Sequence, residues 1–336
     1  MLSKSFGIDF GTDTMKIYRK GFGLVFDQKS VLAEKGAGNV IAIGDEAYEM
    51  FEKSPDSIQV TFPLKNGRIA GFKDALSLLN CIFMDISRYY GKFRGADFCM
   101  AVPYDLTSVE KHSFYELLDS SIVRPKKLWL VDKPIAGSIG AGVDIRNDSG
   151  TMLVDIGAET TEVSVISQGG IVLSRLIPVG GNSFNAELIS EIRRDQNLLI
   201  GNKTAESLRR ALADLSGSTE LKQKAFGRDL VTGLPREREL TTSFVNGALT
   251  GPLREILDLI RSLLERTPPE IAADIYNRGL YLAGGASGMT GMADFIGRNT
   301  GLKINLCPNG SLTVIEGITK IMGSKELSDL FKNEAV

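Results

Sequence analysis

Cysteine is scarce in this chain, and the little there is forms no pattern. Cys81, Cys99 and Cys307 are scattered among apolar residues without a CxxC spacing, which excludes zinc-knuckle and dithiol redox sites and reads as buried free thiols of a reducing compartment. No run reaches 18 apolar residues, so no bilayer-spanning helix is expected. The opening MLSKSFGIDF enters a strand at once, leaving no room for the charged and apolar regions of a signal peptide. Positive charge is not in excess either. With a net charge of −2 the chain offers no basic face for a phosphate backbone, and no nucleic-acid partner is expected. What remains is 336 residues, 43% hydrophobic and 24% charged, long enough for two domains with a core in each. That balance excludes disordered and fibrous classes. A cytoplasmic protein that touches a membrane only at its surface is the expectation.

Strands alternate with helices along the chain. Residues 5–10 and 15–19 read as a strand pair around 9-DFGTD-13, with extended pieces at 22–27 and 31–33. The segment 73–90 is apolar at helical spacing, 97–103 is a buried strand stopped by proline, and 107–121 opens on a capping-box pattern. The second half repeats the design, with strands at 150–156, 162–167 and 171–177, helices at about 182–197, 203–215 and 245–266, and a short strand at 279–283. Between them 216–243 is polar and turn-rich, most simply a small accessory subdomain. The alternation predicts an α/β fold. No low-complexity linker separates the halves.

An internal repeat points to function. The pattern apolar, Asp, apolar, Gly occurs in 7-GIDFGTD-13 and again in 153-LVDIGAET-160, each time between two strands. A single Asp-x-Gly is weak evidence, because hairpins use both residues for their backbone preferences alone. Two copies in matching halves, followed by 282-LAGGASGMTG-291 at a strand end, describe a cleft in which two loops grip phosphates and a glycine pair admits a nucleoside. Glycine turns suit this because backbone N–H groups bond phosphate oxygens directly where a side chain would block the approach. Asp9 and Asp155 are the candidate magnesium ligands, acting through water, since Mg²⁺ keeps much of its hydration shell. The expected ligand is ATP or ADP with Mg²⁺.

These blocks, together with 62-FPLKNGRIAGF-72, 124-RPKKLWLVDKPIAGSIGAG-142, 198-LLIGNKTAESL-208, 227-GRDLVTGLPRE-237 and 267-TPPEIAADIYNRGLYLAGG-285, resemble the MreB family of bacterial actins over nearly the whole chain. The resemblance implies an actin-like fold of duplicated ribonuclease H-like lobes, each with a small accessory subdomain, and a nucleotide cleft between them. The first lobe would span 1–148, with its accessory part at about 31–68 and residues 312–336 packing back on it; the second would span 149–311, with its accessory part at about 181–245. It also implies head-to-tail filaments, a role in cell shape and cell-wall synthesis, shape and wall-synthesis proteins as partners, and a peripheral place at the inner face of the membrane. The implied nucleotide contacts are Gly11, Thr12, Asp13 and Thr14 in the first loop and Gly157, Ala158, Glu159 and Thr160 in the second. Glu206, Arg209, Gly284, Gly285 and Ala286 complete them, and Thr160 is also the implied catalytic threonine.

Departures from the family pattern cluster at this site. Lys133 stands before Pro134, where the resemblance implies a glutamate that orients the attacking water. An ammonium has donors and no acceptor, so Lys133 is expected to be non-catalytic. Glu159 replaces a loop glycine, and a carboxylate about 5 Å from a phosphate charge at an effective dielectric of about 20 costs roughly 3 kcal/mol. Ala283, Ala286 and Ala211 replace a family threonine, glycine and glutamate, while Thr14 and Met15 stand for Asn and Thr. Two arrangements remain open: Lys133 pairs with Glu159, or Glu159 turns outward and Lys133 meets the γ-phosphate. Nucleotide binding is expected to be weakened or lost, and hydrolysis to be weak or absent. A regulatory paralogue that binds no nucleotide, and either does not polymerise or copolymerises with a conventional MreB, is the alternative. A small-molecule kinase, with Asp132 as base, is a more distant one, and a chaperone ATPase would need a substrate domain for which little chain remains.

The segment 88-RYYGKFRGADF-98 mixes aromatic and basic residues, a composition suited to a membrane headgroup boundary, with Phe93 and Tyr90 as the inserting residues. The alternative is a plain connector whose aromatics pack inward. His112 is expected at the surface, Trp129 in the core, and 124-RPKK-127 as a solvated turn.

Overall fold

The run Ser5–Phe10 forms β1, whose inner residues are buried on both faces, which explains a continuous apolar stretch in place of an alternating one. In this computed structural model, which describes residues 4–327 apart from 37, 92, 94 and 147–149, the chain divides into two compact units. One comprises residues up to Ile145 together with those from Leu312 onward, and the other is Arg146–Ser311.

In the first unit β1 continues antiparallel into β2 (Thr14–Arg19) and β3 (Gly23–Lys29). Next come β4 (Leu32–Lys35), β5 (Val40–Ile43), α1 (Gly44–Met50) and β6 (Ile58–Thr61), which build a small sheet of order β5-β4-β6. A short ribbon, β7 (Leu64–Lys65) with β8 (Arg68–Ile69), leads to α2 (Phe72–Tyr90), β9 (Asp97–Val102), α3 (Ser108–Asp119), β10 (Lys127–Asp132) and α4 (Lys133–Gly140). The main sheet has the order β10-β9-β1-β2-β3, with β1, β9 and β10 parallel. Thr107 and Glu110 close the expected capping box at the start of α3, each side chain bonding the other residue's backbone N–H.

The second unit contains β11 (Thr151–Ile156), β12 (Thr161–Ser167), β13 (Gly170–Ile177), α5 (Gly181–Gln196), β14 (Leu198–Leu199) and α6 (Asn202–Leu212). It continues with β15 (Lys222–Asp229), β16 (Pro235–Thr241), α7 (Thr242–Arg266), α8 (Pro269–Arg278), β17 (Leu280–Ala283), α9 (Met292–Thr300) and β18 (Ile304–Leu306). Its main sheet, β13-β12-β11-β17-β18, repeats the first one strand for strand: a three-stranded antiparallel meander followed by two parallel strands. The short sequence repeat therefore marks a duplicated topology. The polar, turn-rich stretch contains a regular hairpin, β15–β16, to which β14 adds a third strand. Only Ala225 and Asp229 of β15 and Leu240 of β16 are buried, so few apolar residues mark the strands in this polar sequence.

The closing helix α10 (Thr313–Gly323) returns to the first unit and packs on α4. Two glycines make that approach possible: a Cβ at Gly140 would overlap the Thr313 carbonyl oxygen, and one at Gly317 the Ala136 carbonyl oxygen. Two side chains sit differently from expectation. Trp129 is half-buried and not a core residue, whereas Phe93, read as membrane-facing, is 4% exposed and packs with its ring tilted against Phe6 and Phe83.

Candidate functional site

In the first unit the site residues lie on the turn between β1 and β2. The Gly11 N–H bonds the Thr14 carbonyl at 3.1 Å, and a Cβ at Gly11 would stand 2.7 Å from that same oxygen, so the turn has room for glycine alone. Ser30 tethers the turn from β3's end, its hydroxyl donating to the Gly11 carbonyl at 2.7 Å and its N–H to the Asp13 carbonyl at 2.8 Å. Asp13 is held by the Lys29 ammonium at 2.7 Å. Sequence reasoning missed Lys16, which is 4% exposed on β2 opposite Asp9, donates to Thr14 Oγ1 at 2.5 Å and lies 3.8 Å from Asp27. Its signal was a lysine set between Met15 and Ile17 in an otherwise apolar strand. A buried ammonium at a glycine turn is suited to anionic ligands.

Lys133 opens α4, directly after β10, with Pro134 in the first helical turn. β10 and β1 both flank β9, and this order brings the start of α4 to the end of β1. The Lys133 ammonium lies 3.2 Å from Asp9 Oδ1, with the two side chains 17% and 9% exposed. That oxygen accepts no well-aligned hydrogen bond, so the contact is a charge pair held by distance and not by direction. Sequence reasoning left Lys133 either paired with Glu159 or meeting the γ-phosphate; within its own unit the structure gives it Asp9 as a partner. It also bears on the metal. Asp9, expected to hold Mg²⁺ through water, faces the Lys133 ammonium in this structure. Among the described residues no group of three or more His, Cys, Asp or Glu side chains is placed to hold a metal.

The second unit shapes its own turn, between β11 and β12. The Gly157 N–H bonds the Thr160 carbonyl at 2.8 Å. The turn is also clamped to the start of α5, where the Gly181 and Asn182 N–H groups donate to the Gly157 and Ala158 carbonyls at 3.0 and 2.6 Å. A Cβ at Gly180 would stand 2.7 Å from the Gly157 oxygen, so the helix reaches the loop only because that residue is glycine. Glu159 is half-buried within the turn. β11 and β17 run parallel with Asp155 beside Ala283, and Gly284, at φ +91°, leaves no space for a side chain against Asp155 and Ile156. The Gly284 and Ala286 N–H groups are anchored on the Gly310 and Ile156 carbonyls. Arg209 on α6 donates to Asn185 of α5 at 2.8 Å, and Glu206 pairs with Arg210 at 2.7 Å. The glycine loop, the start of α5 and Gly284 thus meet at the end of β11, held together by their own backbone hydrogen bonds.

Other expected residues fall elsewhere. Phe93 belongs to the core, so it is not an inserting residue; its apolar ring is satisfied by Phe6 and Phe83. Tyr90 is half-buried, edge-on to Phe22, while Phe22 and Tyr89 are 62% and 83% exposed. Lys92 and Arg94 of the same segment lie outside the described residues. Asp132, the base of the kinase alternative, is 3.1 Å from the Lys111 ammonium. Cys99 and Cys307 are buried, Cys81 half-buried, and burial pushes the Cys99 thiol up to about 12. Among the described residues no helix is long and apolar enough to cross a membrane.

The duplicated five-stranded sheets, each with a glycine turn between its first two strands, define an actin-like protein. Solved structures agree: MreB5 of Spiroplasma citri bound to AMPPNP superposes with a TM-score of 0.92 at 28% identity over the whole of both chains. The same protein bound to ADP gives 0.92 at 30% identity over 98% of each. A double helical filament of MamK shares the fold, at a TM-score of 0.78 and 19% identity. Residues 3–329 match the MreB/Mbl protein family, and the chain belongs to it. It is 35% identical to the cell shape-determining protein Mbl of Bacillus subtilis over 311 residues, 92% of each chain. It is 32% identical to the cell shape-determining protein MreB of Escherichia coli over 342 aligned positions, covering 99% of this chain and 98% of that one.

Proposed function

We propose that this chain is a cytoskeletal protein that assembles head to tail into filaments, takes part in determining cell shape, and binds an adenine nucleotide that it hydrolyses slowly or not at all. Family membership supports the first part, since its relatives are named for cell shape and the fold is one that a MamK filament uses. Head-to-tail contacts that do not close into a ring generate open filaments. Nucleotide binding is supported by the relative that carries AMPPNP and ADP and by the glycine turns at Gly11 and Gly157. A cytoplasmic location at the inner face of the membrane, beside wall-synthesis and shape proteins, follows from the same resemblance.

The observation that carries the non-hydrolytic part is the Lys133–Asp9 ion pair. Where the resemblance implies a water-orienting carboxylate there is an ammonium, and its charge is engaged by the neighbouring aspartate. Glu159 adds a second opposing charge in the other phosphate turn, next to the implied catalytic Thr160. The kinase alternative is less favoured, because its base Asp132 lies 3.1 Å from the Lys111 ammonium, which lowers its basicity. Sedimentation of the purified chain with and without ATP tests the reading. Pelleting in ATP with no accompanying phosphate release supports a filament uncoupled from hydrolysis. Failure to pellet alone, with pelleting restored by a conventional MreB, would move the chain to the copolymerising alternative.

A further inference from the structure

We propose that β13 is a contact between two copies of this chain, which join edge to edge about a two-fold axis at Ser174 and continue the main sheet of the second unit across the joint. This goes beyond the filament reading above, because a two-fold contact closes on itself and differs from a head-to-tail one. β13 is the outermost strand of the sheet β13-β12-β11-β17-β18, with β12 as its one partner among the described residues. An outermost strand presents a row of backbone N–H and C=O groups, which is a template for pairing with another chain. At eight residues, Gly170–Ile177, it is longer than every other outermost strand among the described residues. Its sequence, GIVLSRLI, holds one charge, Arg175, and no proline, so it lacks the devices that usually guard such an edge.

The outermost strand β16 is built the other way. Side chains alternate between the faces of a sheet, so in an antiparallel pairing of two identical strands Glu237 and Glu239 meet only odd-numbered residues, and Arg236 and Arg238 only even-numbered ones. Every register centred on one of these four residues sets like charges opposite each other, which is destabilising. β13 carries no such penalty. Centred on Ser174, Val172 lies opposite Leu176 of the second copy on one face, and Ile171 opposite Ile177 on the other, while Arg175 meets Leu173. Like charges meet only in the register centred on Arg175. The edge is thus complementary to itself, which is why a second copy is its occupant. It is also ordered before pairing: Leu173 and Ile177 rest on the core of the unit, while Val172 is 38% exposed. At the axis Ser174 Oγ is hydrogen-bonded to Ser164 at 2.7 Å, so the joint covers no unpaired hydroxyl there.

The test is oxidative cross-linking of the full chain carrying Ser174→Cys, read as dimer on a denaturing gel, where a coexisting head-to-tail filament falls apart. Residues directly opposite in an antiparallel pair have Cβ atoms about 4.5–5.5 Å apart, within a small adjustment of disulfide geometry. Most of the Ser174→Cys chain is expected to run as a disulfide dimer. The wild type, with its own three cysteines, and Phe226→Cys, at a position on β15 that is 65% exposed, are expected to run as monomers. A charge exchange keeps the proposal testable should Ser174→Cys fail to fold. Val172→Glu and Leu176→Lys are each expected to weaken the dimer at least about tenfold in sedimentation velocity without nucleotide. The double variant is expected to recover, because each new carboxylate then faces the new ammonium of the other copy. Positions 172 and 176 lie roughly 13 Å apart along one strand, so recovery reports a contact between copies and not a repair within one. Ser174→Cys that cross-links no more than Phe226→Cys, or a double variant as weak as the single ones, would overturn the inference. A wild type that stays monomeric as its concentration rises would overturn it too, and leave the edge to a strand of another protein.

Discussion

Replacing Lys133 by methionine removes a charge from a pair that the fold has largely taken out of water. At 3.2 Å and an effective dielectric of about 20 the attraction amounts to roughly 5 kcal/mol before desolvation is counted. Most of that gain is spent on desolvating the two ions, but truncating one partner leaves the other's cost uncompensated, typically about 3–5 kcal/mol. With 17% and 9% exposure some water reaches both groups, so the low end, about 3 kcal/mol, is expected for Lys133→Met. For a unit of this size that corresponds to a fall in melting temperature of about 6–12 °C. Removing both charges in Asp9→Asn/Lys133→Met should restore most of the loss, because no isolated charge then remains. Urea unfolding of the two single variants, the double variant and the wild type, run in EDTA without nucleotide, gives the coupling directly. Equal stability of Lys133→Met and the double variant would refute the buried pair, as would a coupling below about 0.5 kcal/mol.

Three further perturbations address other parts of the molecule. Gly317→Ala places a methyl on the Ala136 carbonyl and should part α10 from α4, at about 3 kcal/mol, read as loss of stability in urea. Gly180→Ala puts a Cβ 2.7 Å from the Gly157 oxygen; it should displace the second phosphate turn and weaken nucleotide binding at least about tenfold while the urea midpoint shifts little. Asp229, buried at the turn of the β15–β16 hairpin, is held well below its ordinary value of 3.8 by Arg236 and by the Thr232 and Val231 N–H groups. A depressed carboxyl contributes stability above its unfolded value and loses it as pH falls further. Hydrogen exchange at Val231 and Thr232 should therefore accelerate, after correction for intrinsic rates, as pH drops below about 4, and Asp229→Asn should remove that dependence.

Much of this fold is legible in the sequence because its signals are local. Asp-x-Gly with flanking apolar runs forces the same turn wherever it occurs, and finding it twice revealed the duplication that the two sheets display. Helices with caps or apolar stripes fell within a few residues of their places: α5 was expected at 182–197 and spans Gly181–Gln196. The site was less legible, because its decisive contact is not local. Lys133 and Asp9 meet only because β10 and β1 flank the same strand, β9. No spacing in the sequence encodes that neighbourhood. Phe93 misled for a related reason: aromatic and basic residues side by side suggest a headgroup boundary, yet the ring turns into a cluster with Phe6 and Phe83, contributed by distant elements. Gly140 and Gly317 also gave no warning, since a helical glycine carries meaning only once the opposing backbone is known.

The central claim is that Lys133, held at Asp9, has taken over a position that would otherwise direct water at the terminal phosphate. Single-turnover phosphate release from ATP, measured on the wild type and on Lys133→Glu in magnesium, addresses it most directly. Negligible release by the wild type and a gain of at least about a hundredfold in Lys133→Glu are expected, because the variant returns a water-orienting carboxylate and frees Asp9. Wild-type turnover that Lys133→Glu does not raise would contradict the claim.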